Sequence, residues 1–326
     1  MNKKQLITTL SLTIILFSST ATTDAEPRTE RYAIICGISD YQSINDLDLS
    51  DDDALAMRDA LDAISWNHIT TLIDQQASKT GIRDAITALI GVADTDDIVL
   101  FYFAGHGTYD TDIAPLDEDD NLDEYICPWD SSTGYTTNIR DDELQAWHDN
   151  LPCTKVVILD TCFSGGFIRE EVMTARTLPG KPRTDLTDTF ARDLDKTGYV
   201  VLTACRDDEL AYESSALSHG VFTYFLLQGM TPPDLPADAD NDRWVTAEEE
   251  YYYAAPGTAA YSPTQHPQLH DKDTSQDVRL GLCRIVGGEI QPPDTTAVAA
   301  VTARRTAITL LTLTVIAVTL RIRKTQ

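Results

Sequence analysis

Val156-Val-Ile-Leu-Asp-Thr-Cys-Phe-Ser-Gly-Gly166 passes from a continuous apolar, β-branched run into Asp-x-Cys and then a glycine-rich turn. An apolar run without polar alternation predicts a strand buried on both faces, the kind found in parallel sheets covered by helices. Fifty-six positions before Cys162, Phe101-Tyr-Phe-Ala-Gly-His-Gly107 ends another such strand in Gly-His-Gly. Glycines there let the backbone turn sharply and leave the imidazole of His106 unshielded.

Working outward, strands are expected at Tyr32–Ile38, Ile69–Ile73, Ile98–Phe103, Lys155–Asp160 and Tyr199–Ala204. Helical patterns fall between them, at Asp51–Ala63, Lys79–Val92, Asp141–Asn150, Phe222–Gly229 and Thr246–Tyr253. The alternation defines an α/β fold with a mostly parallel central sheet and helices on both faces. Chemistry in such folds gathers at the carboxyl ends of the strands. His106 and Cys162 fall there, just after the third and fourth strands. If those strands are neighbours, an imidazole faces a thiol. The imidazole favours the thiolate, the thiolate attacks a carbonyl, and the imidazolium protonates the leaving amine. Alone, a Gly-His-Gly is more often a turn and a strand-end cysteine more often buried; the pairing gives each its meaning. Three long loops separate the elements: the acidic Thr108–Tyr135, the basic Ile168–Lys196, and the Pro- and Asp-rich Thr231–Asp242.

The 326 residues carry 52 Asp and Glu against 25 Lys and Arg, a formal charge of −27. A surface of that sign repels polyanions, so no nucleic-acid partner is expected. It suits cationic peptides or metal ions, or serves as a solubility or high-salt adaptation. Lys3 and Lys4, the apolar Leu6–Phe17 and the small, polar Ser18–Ala25 read as a signal peptide over residues 1–25, with cleavage after Ala21 or Ala25. After a linker over residues 286–305, the apolar Thr306–Leu320 is followed by Arg321, Arg323 and Lys324. This predicts a C-terminal membrane anchor, with a processed sorting tail or an interfacial helix as alternatives. The expected location is therefore exported, extracellular or cell-surface. Six cysteines show no CxxC spacing, so neither zinc nor a disulfide scaffold is signalled. Cys36 and Cys205 read as buried small hydrophobes, while Cys127–Cys153 and Cys153–Cys283 are open pairings. His68, His148, His219, His266 and His270 read as surface or packing residues, and Tyr251–Tyr253 as helix packing.

Several motifs occur in order: Tyr32-Ala-Ile-Ile-Cys-Gly-Ile-Ser-Asp-Tyr41, Asp52-Asp53-Ala-x-x-Met57, Phe-Ala-Gly-His-Gly107, Asp123-Glu-Tyr-Ile-Cys-Pro-Trp-Asp130, Asp141-Asp142-Glu-Leu144, Leu159-Asp-Thr-Cys-Phe-Ser-Gly-Gly166 and Leu202-Thr-Ala-Cys-Arg-Asp-Asp-Glu-Leu-Ala211. Together, over Tyr32–Gln268, they resemble the caspase-like cysteine peptidases, especially the metacaspases and their prokaryotic relatives. The resemblance implies a caspase-like three-layer sandwich over residues 31–285 and a Cys162/His106 dyad. It also implies an oxyanion hole from the backbone N–H groups of Gly107 and Cys162. Cleavage after Arg or Lys is implied, with Asp160 and Asp53 as pocket acids; a carboxylate suits a guanidinium bidentately. A plainer role for Asp160 is capping local N–H groups, and Asp51 or Asp52 equally serves as the helix N-cap. The chain departs from the family pattern at Ala104, where serine is common, and at Phe163, where histidine is.

Calcium activation is implied too, through Asp123, Asp141 and Asp142; a further acid expected seven residues after the nucleophile falls at Arg169, beside Glu170. Independently, Asp238, Asp240, Asp242 and Glu249 occupy positions one, three, five and twelve of an EF-hand-like loop, but Arg243 stands where glycine is usual at position six. The alternative is a solvated acidic loop capping the following helix. No organic cofactor is expected. The expected partners are protein or peptide substrates with basic residues, and a membrane through the C-terminal tail. Arg169, Arg176, Lys181, Arg183, Arg192 and Lys196 make the Ile168–Lys196 loop a candidate for self-cleavage. A non-catalytic, calcium-dependent interaction module and a transpeptidase or ligase on the same dyad are the competing readings.

Overall fold

The computed structural model describes residues 29–111, 113, 122–132, 136–161, 173–175, 194, 196–206, 209–272, 277–282, 285–286 and 289–290. In chain order the elements are β1 (Arg31–Gly37), α1 (Ser50–Ala63), β2 (His68–Ile73), α2 (Lys79–Thr87), β3 (Ile98–Ala104), β4 (Gly107–Thr111), β5 (Leu122–Ile126), β6 (Ile139–Arg140), α3 (Asp141–His148) and β7 (Thr154–Asp160). They continue with β8 (Met173–Ala175), β9 (Tyr199–Thr203), β10 (Tyr212–Ser214), β11 (His219–Gly220), α4 (Val221–Gly229), β12 (Trp244–Thr246), α5 (Ala247–Tyr261), β13 (Gln268–Asp271) and β14 (Arg279–Leu282).

A six-stranded sheet of order β13-β9-β7-β3-β1-β2 organises the molecule. All its pairings are parallel except the edge pairing of β13 with β9. Every residue of β3 is buried, as its unbroken apolar sequence requires. Successive side chains point to opposite faces. Ile35, Leu100, Tyr102, Ile158 and Leu202 therefore pack with Met57 of α1, Phe222 of α4 and Ala254 of α5. Ile34, Phe101, Phe103, Val157 and Val201 pack on the other face with Ile82 of α2 and Leu144 of α3. The result is the helix–sheet–helix sandwich expected from the sequence.

The chain leaves β1 toward β2 on one side and returns to β3 on the other. That reversal opens a crevice at the carboxyl ends of β1 and β3, the usual ligand position in such sheets. Gly37 closes β1 there. A Cβ on it would lie 2.3 Å from the Ser50 carbonyl oxygen and 2.4 Å from the Ala54 Cβ, so α1 seats against the sheet only over glycine.

Several boundaries differ from expectation. The helix expected over Lys79–Val92 ends at Thr87, because its buried pair Ile82 and Ile86 is complete and Gly91 then turns at φ +74°. The helix expected over Thr246–Tyr253 continues through Pro256 to Tyr261, since Ala254 and Thr258 stay fully buried. Within the expected loop Thr108–Tyr135, β4 and β5 form an antiparallel sheet with β6. Residues 1–25 and 306–320 lie outside the described residues. Among the described residues no helix is long and apolar enough to cross a membrane. Cys36, Cys127, Cys153 and Cys205 are buried free thiols, so Cys127 and Cys153 are not bridged; Cys283 lies outside the described residues.

Candidate active site

His106 stands two residues beyond β3, in a corner built by the β1–α1 loop. Its backbone N–H donates to Tyr41 Oη at 2.7 Å, and Tyr41 Oη donates to the Cys127 carbonyl at 3.2 Å. The phenol ring leans on the imidazole at 5.0 Å between centroids. A Cβ on Gly105 would lie 2.6 Å from Tyr41 Oη, so this approach requires glycine. His106 Nε2 lies 2.8 Å from the Asn45 carbonyl oxygen. A carbonyl only accepts, so Nε2 carries the proton of the neutral ring and Nδ1 is its basic nitrogen. His106 is 2% exposed, so the imidazole is covered rather than left unshielded as its flanking glycines suggest.

Strand β7 lies beside β3, in a register that sets Ala104 opposite Asp160. Gly105 N–H donates to the Asp160 carbonyl at 3.4 Å. His106 and Cys162 thus each stand two positions beyond a matched pair. Cys162 itself lies outside the described residues. Gly107 opens β4, opposite Ile126.

The two expected pocket acids converge on the start of α4. Asp160 Oδ2 accepts Thr223 N–H at 3.2 Å and Thr223 Oγ1–H at 2.5 Å. Tyr102 Oη lies 2.6 Å from the same Thr223 Oγ1 and donates to it. Asp53 Oδ2 accepts Gly220 N–H at 2.9 Å, while Asp53 Oδ1 lies 2.7 Å from His219 Nδ1. Both carboxylates are fully buried. The unsatisfied N–H groups and positive end of a helix favour carboxylates there. Neither Asp51 nor Asp52 caps α1. Its N-cap is Leu49, with no capping side chain; Ser39 Oγ accepts the first-turn Asp51 N–H at 3.1 Å, and the Glu213 carboxylate of β10 holds the residues that enter the helix. It receives Asp48 N–H and Leu49 N–H at 2.9 Å each and Ser50 Oγ–H at 3.1 Å.

Asp123, Asp141 and Asp142 gather with one carboxylate oxygen each inside 4.8 Å. Asp123 and Asp141 are buried. Arg140 bridges the cluster, its Nη1 3.3 Å from Asp123 Oδ2 and its Nη2 3.3 Å from Asp142 Oδ2. Burial works against the guanidinium charge, but Asp123 and Asp142 outweigh it and hold the pKa above its ordinary value. Asp123 Oδ2 also accepts Tyr125 Oη–H at 3.2 Å. Asp238, Asp240 and Asp242 form a second such group on the surface. Arg243 adopts φ +74°, the conformation that glycine would supply at the sixth loop position. Asp242 contacts Arg279 at 3.2 Å. Glu249 is committed to a capping box with Thr246 and accepts Ala239 N–H at 3.0 Å.

Three histidines read as surface or packing residues have defined partners. His219 pairs with Asp53. His266 Nδ1 lies 2.5 Å from Glu209 Oε1. His148 Nδ1–H donates to the Leu144 carbonyl at 2.9 Å, and burial lowers its pKa to about 4. Their partners lie 166, 57 and 4 positions away; only the last, one helical turn back, had a signal in the sequence.

A three-layer sandwich with a histidine at the β1/β3 crevice defines the class of protein: a caspase-like α/β fold. The family model for the caspase domain matches residues 30–259, and the chain belongs to that family of peptidases. It is 35% identical to Metacaspase-4 of Arabidopsis thaliana over 113 residues, which cover 32% of this chain and 26% of that protein. It is 27% identical to Metacaspase-1 of the same plant over 227 residues, covering 63% and 60%. With Metacaspase-1 of Plasmodium falciparum it shares 28% over 201 residues, covering 57% and 32%. The chain therefore spans between about a quarter and three fifths of these relatives' lengths. The crystal structure of a Geobacter sulfurreducens protein matches with TM-score 0.53 at 20% identity, covering 74% of this chain and 92% of that one, and shares the fold.

Proposed function

We propose that the chain is a cysteine endopeptidase that cleaves after Arg or Lys, with Cys162 as nucleophile and His106 as base. The observation that carries this reading is the His106 ring, held by Asn45 through Nε2 at the end of the strand beside β7. His106 Nδ1 takes the Cys162 thiol proton, and the thiolate attacks the scissile carbonyl carbon. The oxyanion is met by the backbone N–H groups of Gly107 and Cys162. Collapse breaks the C–N bond, and the imidazolium returns its proton to the leaving amine. Water then hydrolyses the thioester. Asp53 and Asp160, both buried beside α4, receive the basic side chain.

Calcium is the proposed activator. The oxygen-only set of Asp123, Asp141 and Asp142 fits a hard divalent cation, which would neutralise that cluster when bound. Arg140 contacts the same carboxylates and must yield to it. The Asp238–Asp242 group, with Glu249 engaged in capping, is the lesser candidate. Self-cleavage falls in the Ile168–Lys196 segment.

The test is hydrolysis of Arg- and Lys-ended fluorogenic peptides with and without calcium, beside Cys162→Ala and His106→Ala. Turnover lost in both variants is the expected result. Undiminished turnover in Cys162→Ala would remove the reading. Wild-type chain that hydrolyses peptide yet stays a single fragment would remove the self-cleavage step alone.

A further inference from the structure

We propose that His219 is a positioning residue for the recognition of basic side chains, acting through Asp53. The inference rests on the reading of Asp53 and Asp160 as the acids that receive an Arg or Lys side chain. Asp53 is buried on α1, and its carboxylate is gripped by two consecutive residues of β11. His219 Nδ1 holds Oδ1 at 2.7 Å, and Gly220 N–H holds Oδ2 at 2.9 Å. Two donors on two different oxygens fix the plane of the carboxylate as well as its position. A guanidinium reads that plane, because its N–H groups form a flat fork.

The grip is built by the backbone. Strands β10 and β11 pair with Ser214 opposite His219 and Glu213 opposite Gly220. The turn between them requires Ser218 at φ +57°, a conformation uncommon for a residue with a side chain. Glu213, in the same pairing, holds the start of α1. The donors on β11 and the acid on α1 are thus tied to each other twice, through Glu213 and through Asp53. The His219 side chain is 24% exposed while Asp53 is fully buried. The imidazole, leaning toward Tyr224 at 6.4 Å, is the outer part of the pair, on its solvent side. With the imidazole donor absent, Asp53 keeps its burial and its Gly220 bond, while the described hold on Oδ1 is lost.

The experiment compares wild type, His219→Ala and His219→Asn on matched peptides ending in Arg or in citrulline, its uncharged isostere. Asparagine places an N–H near the imidazole Nδ1 and takes no proton. We expect His219→Ala to raise KM for the Arg peptide about tenfold with kcat changed less than about twofold, because only the binding of the basic group is lost. The preference for Arg over citrulline should fall by the same factor, and His219→Asn should restore most of it. Equal losses on both peptides, or a fall in kcat alone, would show a merely structural tie and overturn the inference. If His219→Ala does not fold, the Asn variant decides: a native melting profile with the preference lost overturns the role of the Nδ1 donor. A wild type that prefers Arg, with His219→Ala retaining that preference, removes this inference only. A wild type indifferent to Arg and citrulline removes the pocket reading beneath it.

Discussion

Removing one oxygen, in Tyr41→Phe, tests how the base is held. The Tyr41 ring leans on the His106 imidazole and its hydroxyl accepts the His106 backbone N–H at 2.7 Å. The same hydroxyl donates to the Cys127 carbonyl at the longer distance of 3.2 Å. Phenylalanine keeps the ring contact and deletes both bonds. Depriving a buried donor of its acceptor costs about 1–3 kcal/mol, and the longer bond adds about 0.5–1 kcal/mol. Relief from desolvating the hydroxyl offsets part of this, so the net loss should be about 2 kcal/mol. With a urea m-value of about 2–3 kcal/mol/M, the midpoint should fall by about 0.7–1 M at unchanged m. Urea denaturation followed by fluorescence measures it. In the peptide assay kcat should fall while KM stays near wild type, because the described bonds of Tyr41 hold the proposed base His106 rather than the proposed pocket acids. A midpoint moved by less than about 0.2 M would refute the hydroxyl as the support of His106.

Other outcomes follow from the charged groups. His148 is neutral in the fold with a pKa of about 4, against an ordinary value of 6.5. The unfolded chain binds the extra proton between those values, so the residue's contribution is intact above pH 6.5 and drains away toward pH 4, by about 3 kcal/mol at most. His148→Asn, which keeps a donor for the Leu144 carbonyl, should flatten the stability curve over that window; an unchanged slope would count against it. Glu250 is fully buried with no hydrogen-bond partner for either carboxylate oxygen among the described residues, and burial raises its pKa well above 4.5. The folded state then keeps a proton that the unfolded state releases, so its stability falls as pH rises. Glu250→Gln should gain at least about 1 kcal/mol at pH 8 and little at pH 5; equal effects at both would refute this. Arg140→Gln removes the cation that bridges Asp123 and Asp142. Calcium affinity by titration calorimetry should rise about tenfold, equivalent to about 1.4 kcal/mol; an unchanged affinity would place the ion elsewhere.

The sandwich was legible because its central strands are unbroken apolar runs, and β1, β3, β7 and β9 all lie within one or two residues of their expected limits. His106 was legible because glycines bracket it at a strand end. The supports were not. Tyr41 and Asn45 lie in a loop without periodicity, and each reaches His106 from more than 60 positions away. Glu213 holds the entry to α1 from 163 positions away or more, which no local capping rule detects. The loop Thr108–Tyr135 reads as a loop for a related reason: its acids dominate the composition, yet Asp123 and Glu124 are buried in β5, where the strand pairs with β4 and the charge of Arg140 offsets that of Asp123. Its pairing partners, not its own residues, make it a strand.

The short strand β10 shows how those long-range bonds combine. It pairs with β8, from the Ile168–Lys196 segment, on one side and with β11 on the other. One of its three residues, Glu213, holds the start of α1, and α1 carries Asp53 back to β11. Asp53, the proposed pocket acid, is therefore closed into a ring of contacts running β10, α1, β11 and back. A ring resists distortion better than a chain of the same bonds, since moving any member strains two neighbours at once. Glu213→Gln tests this: the amide keeps one accepting oxygen, but the N–H₂ that replaces the other cannot accept, so either Asp48 N–H or Leu49 N–H loses its acceptor. Losing one charge-assisted bond at this half-buried helix entry should cost about 1.5 kcal/mol. Because the ring joins Glu213 to Asp53, the same variant should also raise KM for Arg-ended peptides. A stability loss with KM unmoved would mean that β10 holds the helix without holding the pocket.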